Sequence, residues 1–494
     1  MSIAIHLPAL QVVVPLIGAP LSVLLRRGDA AFAIVTAAAW AALAAALALW
    51  AQVSGGDTIS YAIGSWPPPW GIEYRVDRLT AFMLVLVSGM AVATLAYSRE
   101  SVAREVPRDL HYLYYAMFAL CLTGLLGIVI TGDAFNLFVF LEISSLSSYV
   151  LIALGRDRRA LLAAYQYLIM GTIGATFFVI GVGLLYLATG TLNMADMALR
   201  LADVRDTRPV LAALAFLTVG MSLKLALFPL HQWLPNAYAC APSAVTAFLA
   251  GTATKVSLYV LVRFYYSVFG ENLVFRALPL PEVLLALSLA GMFVASALAF
   301  VQDDLKRLLA WSSVGQIGYI TLGLALESHT GLTATLVHLV NHAVTKGALF
   351  MLAGAAAAVL GANTFAKLAG MGRTMPVTSF GIVLGGLSLI GVPGTAGFVS
   401  KWYLVLAALE KGEWWLVAAI VGSSLIAVAY VWRFVEVAYF RAPSAQAAAT
   451  GEAPTGLLVP AWILVGVAIW FGLDTSFTVG SASAAASLLI GPPR

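Results

Sequence analysis

Apolar residues along this chain come in runs of about twenty, the length at which an α-helix spans the hydrocarbon core of a bilayer. Fourteen such runs can be placed, near residues 8–25, 30–52, 79–98, 111–130, 134–154, 161–189, 210–230, 243–269, 281–302, 306–326, 331–359, 377–408, 414–440 and 457–475. The longest polar stretches, 53–78 with its "WPPPW", 99–110, 190–208 and 441–456, read as connections. Trp66, Trp70, Trp414 and Trp415 suit the membrane surface. None of these stretches is long enough for a separate soluble domain, so the pattern predicts an all-α polytopic membrane protein.

Two of the runs are interrupted. "KLALFPLHQWLP" (224–235) and "LSLIGVPGTAGFVSKW" (387–402) are apolar helices broken at Pro or Gly and accompanied by one lysine. Each is about fourth in a block of five helices, 111–269 and 281–440, so the blocks read as inverted repeats with the site at the breaks. Residues 1–110 then hold helices one to three, and 441–494 a loop and helix fourteen.

Composition agrees: 61% of the residues are hydrophobic and 10% charged, where soluble domains average about 25% charged. The net charge of +4 is too small to suggest a nucleic-acid surface. The first twenty residues carry no Lys or Arg, so no cleaved signal peptide is expected. Alternate connections differ in cations. One set includes Arg26, Arg27, Arg99, Arg104, Arg156, Arg158, Arg159, Lys306 and Arg307, and the poorer set includes Arg75, Arg78, Arg200 and Arg276. The richer set is expected in the cytoplasm and both termini outside, in a cell (inner) membrane. Cys121 and Cys240 stand apart, and no GxGxxG or GxxxxGK[ST] occurs, so no metal centre, redox group or nucleotide is expected. Energy must come from an ion gradient or a partner.

Charge inside a membrane costs about 2.5–3.5 kcal/mol per residue. Glu142, Lys224, Lys255, Lys346 and Lys401, with His338 and His342, are therefore expected to face one another or water. Ser145 and Tyr149 extend a polar stripe from Glu142, which is expected to be the counter-ion of Lys224. Pro229 lacks an N–H and is expected to crowd the carbonyl of Leu225, breaking the helix beside Lys224, where the negative dipole end favours a cation. Lys401 follows its break, where the dipole is expected to oppose a cation. Lys255 can bridge the halves, His338, His342 and Lys346 recur at four-residue spacing on one face, and His231 can extend the path. HxxxH spacing can hold a metal, but the Glu of HExxH and a third ligand are missing. The expectation is a proton relay.

The stretches "LTGLLGIVITGDAFNLFVFLEISSLSSYVLIALG", "GTLNMADMA", "KLALFPLHQWLPNAYACAPSAVTAFLAGTATKVSLYVLVR", "LVHLVNHAVTKGALFMLAG" and "GVPGTAGFVSKW" resemble the antiporter-like subunits shared by Mrp cation/proton antiporters, respiratory complex I and membrane-bound hydrogenases. "TGDAFNLFVFLE" and "GTLNMADMA" look most like the D-type component of Mrp antiporters. The resemblance implies fourteen helices with two inverted five-helix repeats, and proton translocation along a polar axis through Glu142, Lys224, Lys255, His338, His342 and Lys401. It also implies a hetero-oligomeric Na+/H+ antiporter complex without cofactors, in contact with membrane lipid. The alternative is the proton-pumping subunit of complex I or a hydrogenase. Lys401 speaks against the complex I subunit that carries Glu there. No carboxylate cluster marks a sodium site.

Overall fold

The computed structural model describes residues 3–492. Among the described residues, thirteen helical segments are long and apolar enough to cross a membrane: Ala4–Leu25, Gly28–Val53, Arg78–Glu105, Arg108–Ile130, Ala134–Ala153, Arg159–Thr189, Arg208–Leu225, Ser243–Phe269, Leu280–Phe300, Leu305–Ala325, His329–Leu360, Trp414–Phe440 and Thr455–Leu473. A fourteenth crossing is made of two half-helices, Pro376–Ile390 and Ala396–Glu410. The Arg208–Leu225 crossing is likewise continued by Trp233–Cys240 after a turn.

Some connections are more ordered than their polarity suggests. The stretch 53–78 contains an antiparallel hairpin, Ile59–Ala62 against Glu73–Val76. The helix at Arg78 runs to Glu105, beyond the expected end at residue 98, because a polar segment at the membrane surface keeps its helical hydrogen bonds without an apolar face. A further helix, Ser476–Ile490, follows the last crossing and was not expected.

The repeat is written in two matched pairs of backbone hydrogen bonds. Asp133 bridges Asn193, with Ala134 N–H to Leu192 O at 2.9 Å and Met194 N–H to Gly132 O at 2.8 Å. Asp304 bridges Thr364, with Leu305 N–H to Asn363 O at 2.9 Å and Phe365 N–H to Asp303 O at 3.0 Å. Each aspartate caps the helix that follows it, accepting from Asn136 N–H at 2.7 Å or Arg307 N–H at 3.0 Å. The preceding long helices end at Gly190 and Gly361, with φ of 70° and 75°, the left-handed conformation that suits glycine. Every member of the second set lies 171 residues after its counterpart, 133 to 304, 190 to 361 and 193 to 364. Five crossings separate the two aspartates, so the second bridge lies at the opposite end of the bundle and the repeats are inverted.

Burial sorts the helices. The apolar stretches of Ser243–Phe269 and Leu305–Ala325 are 94% buried, against 39% for the first two crossings. His329–Leu360 also lies inside, so Lys255, His338, His342 and Lys346 sit on the innermost helices.

Candidate functional site

At the first break, the Arg208–Leu225 helix ends before the proline. Ala226 is left-handed (φ 61°), and its N–H and that of Leu227 fold back on Leu223 and Ser222 carbonyls at 3.2 and 3.0 Å. The indole of Trp233 also donates to Leu223 O, at 2.8 Å, so that carbonyl has two donors at the helix end. Pro229 is exposed in the turn beyond, so it does not crowd Leu225 within a helix as expected from sequence. Buried Lys224 takes none of these carbonyls and donates to Ser145 Oγ at 2.6 Å. Beside it is a cavity of about 20 Å³ lined by Ser144, Ser145, Ser148, Tyr167, Lys224 and Ser257, room for about one water.

Glu142 lies close enough for its charge to act on Lys224, but the two do not touch. Among the described residues its carboxylate makes no ion pair within 4.0 Å, with Lys224 or any other cation. It is half-buried in an outward stripe whose members Phe135, Val139, Leu146 and Val150 are 46%, 39%, 51% and 38% exposed. The helical period that aligned Glu142 with Ser145 also aligns it with this outer face, and packing turns only Ser145 inward.

Lys255 lies past a second discontinuity. The Ser243–Gly251 helix gives way at Thr252 (φ −129°, ψ −60°) to Ala253–Val262, and Lys255 donates to Ala250 O, a carbonyl released there, and to Thr254 Oγ1 at 3.3 Å.

On the His329–Leu360 helix, His338 sits between Ser400 Oγ at 2.8 Å from Nδ1 and Gln316 Oε1 at 3.0 Å from Nε2. His342 follows at 6.2 Å between ring centroids, and both its ring nitrogens are buried with no protein partner, which points to bound water. Lys346 turns to the neighbouring helix, donating to Leu309 O at 2.8 Å and to Ser312 Oγ. His231 stacks on Phe228 and meets Trp311 edge-on, at centroid distances of 5.0 and 5.2 Å, with Nδ1 buried and unpartnered.

Lys401 reverses the sequence expectation. It follows the break, yet its side chain reaches back to the first half-helix and donates to Leu389 O, Ile390 O and Ser424 Oγ, each at 2.9 Å. Its ammonium also lies 4.5 Å from the Tyr319 ring centroid. The ammonium thus meets the negative end of the Pro376–Ile390 dipole, which favours the cation.

Three residues on Leu305–Ala325 were missed from sequence: Ser312, Gln316 and Tyr319 contact Lys346, His338 and Lys401 in turn. Their spacing of four and three in "SSVGQIGYI" was the available signal. Two further buried ion clusters were also missed. Arg263 pairs with Asp77, which burial would push up but the guanidinium holds below the usual carboxylate range. Lys306, read as a loop cation, is buried and donates to Ala241 O at 2.7 Å.

Comparison with known proteins places this arrangement. The N component of an NADH-quinone oxidoreductase from Desulforudis audaxviator is 44% identical over 94% of both chains. The D component of a Na(+)/H(+) antiporter from Alkalihalophilus pseudofirmus is 32% identical over 72% of this chain and 71% of its own. A chain of the Mrp complex from Dietzia sp. superposes with a TM-score of 0.90 over 99% of this chain and 98% of its own, at 26% identity. Residues 131–427, which span both breaks, match the family described as NADH:quinone oxidoreductase/Mrp antiporter, transmembrane. The chain therefore belongs to that family of antiporter-like membrane proteins.

Proposed function

We propose that this chain translocates protons in a hetero-oligomeric Na+/H+ antiporter assembly, along Lys224, Lys255, His342, His338 and Lys401, with Lys346 and His231 feeding the row. The observation that carries the reading is a row of buried amines and imidazoles across the bundle interior, three of the amines at helix breaks where backbone carbonyls or a hydroxyl receive the proton-bearing group. Such groups are costly unless solvated by protein, and they mark proton paths in membranes.

Glu142 supports the partner side of the reading. A carboxylate in an outward apolar stripe at membrane depth is stable only when another protein of the assembly covers it, and a cation on that protein would couple its charge state to Lys224. The richer set of basic connections supports a cytoplasmic location for the face carrying Arg156 and Lys306, with both ends of the chain opposite.

Vesicles holding the intact assembly are expected to exchange sodium for protons. Lys224→Ala and Glu142→Ala are each expected to abolish exchange while assembly persists, and wild-type exchange in either would remove that residue from the mechanism. A second reading, a proton-pumping component of a redox-driven complex, is favoured by the 44% identical relative. Quinone-coupled acidification without sodium exchange would select it.

A further inference from the structure

We propose that Gln316 is a positioning residue of the relay, forming with Ser400 a reversible cradle that lets His338 hold any of its protonation states without stranding a buried polar atom. The inference rests on the proton-translocation reading and assigns it a residue on a helix that carries none of the charged groups of the path.

His338 is 2% exposed, and each ring nitrogen faces one partner of dual capacity. The Ser400 hydroxyl donates to Gly397 O at 3.1 Å, leaving its oxygen to accept from His338 Nδ1–H. Turned about its C–O bond, the same hydroxyl donates to Nδ1 instead. Gln316 offers an amide oxygen in one orientation and an amide N–H in the other. In the cation both nitrogens donate, to Ser400 Oγ and Gln316 Oε1. In the Nδ1–H tautomer Gln316 turns over and donates to Nε2. In the Nε2–H tautomer Ser400 turns and donates to Nδ1.

A proton crossing the ring binds the free nitrogen, and the N–H opposite then breaks. No charge is gained or lost, but the tautomer is exchanged. In a dry interior a fixed partner would match one tautomer and oppose the other, leaving a buried acceptor against an acceptor. A glutamine beside a serine removes that mismatch by two local rotations. Gln316 carries no proton itself. His342, one turn away, has no protein partner at either nitrogen, so the cradle belongs to His338.

The titratable groups facing His338 are Lys401 from Ala396–Glu410, Lys255 from Ser243–Phe269, His342 on its own helix and Tyr319, at 5.8 Å between ring centroids. Tyr430 from Trp414–Phe440 reaches Gln316 and Ser312.

The test measures proton flux against pH in vesicles containing the intact assembly, for Gln316→Leu, Gln316→Glu, His338→Ala and Lys401→Ala. Gln316→Leu is expected to assemble normally and lose about tenfold or more in flux, the worth of one buried hydrogen bond to a charged group. Gln316→Glu accepts from the imidazolium and favours it, so flux is expected to recover in part with its pH profile moved to the alkaline side. Wild-type flux in Gln316→Leu while His338→Ala is inactive would overturn the cradle and leave the relay standing. Equal losses in Gln316→Leu and Gln316→Glu with an unmoved profile would reduce Gln316 to a packing residue. Full flux in both His338→Ala and Lys401→Ala would overturn the relay, and the cradle with it.

Discussion

The two interrupted helices begin from one problem and solve it with different groups. Each break strands carbonyls of a half-helix inside the membrane, where no lipid can satisfy them. At Leu225 the Ser222 and Leu223 carbonyls are taken by the Ala226 and Leu227 N–H groups and the Trp233 indole, and Lys224 faces a serine and a cavity of about one water. At Ile390 the Gly391 and Val392 N–H groups both fold back on Leu387 O, and Lys401 itself takes the Leu389 and Ile390 carbonyls and Ser424, with Tyr319 beneath it. The first lysine is a guest at its break; the second caps the half-helix across its break. Matching lysines in a repeat therefore need not do matching work, and the partner of the orphan carbonyls decides which lysine is mobile.

The largest separation of the two sites is expected from removing each lysine. Lys401→Ala should abolish flux and also lower the thermal stability of the assembly, since two buried carbonyls lose a donor at about 1–3 kcal/mol each. Lys224→Ala should abolish flux with stability nearly unchanged. Equal stability losses, measured by thermal unfolding of the purified assemblies, would erase the distinction.

Packing at the breaks gives the next effect. A Cβ at Gly397 would lie 1.7 Å from Ser388 O, whereas one at Gly174, where the first broken helix is crossed, would lie 2.9 Å from Gly220 O. Gly397→Ala should force the second half-helices apart at a cost of about 3 kcal/mol or more, and Gly174→Ala less. A reversed order in unfolding temperature would count against the packing described.

Trp233→Phe keeps the ring that stacks on Tyr167 at 3.9 Å but removes the cap on Leu223 O. It should cost about 1 kcal/mol and slow flux several-fold as Lys224 competes for a carbonyl that keeps only the Ala226 N–H, at 3.2 Å. An unchanged flux would show that the indole does not keep Lys224 free.

Much of this was legible in the sequence, for reasons of energy. Fourteen crossings, two breaks and the rare intramembrane charges carry penalties large enough to stand out residue by residue. Uncharged polar residues do not: Ser312, Gln316 and Tyr319 are ordinary in a membrane helix until a partner is known, and Gly251, which precedes the kink at Thr252, is too common a residue in membrane helices to announce it. Side-chain direction was also hidden. Glu142 was expected inward and lies on an outward stripe, and the dipole at Lys401 was assigned from chain position although four methylenes carry its amine across the break. The repeat was suggested by two prolines but is established by the 171-residue offset of its paired bridges, which becomes visible only when Asp133 meets Asn193 and Asp304 meets Thr364.

Lys255 sits at its own helix break and is placed between Lys224 and His342 in the proposed row, so it bears most directly on the claim that protons pass along that row. The decisive measurement is proton flux through vesicles holding the intact assembly with Lys255→Ala, at matched protein content. The account predicts loss of flux in an assembly that still contains all its component chains, and wild-type flux would contradict it.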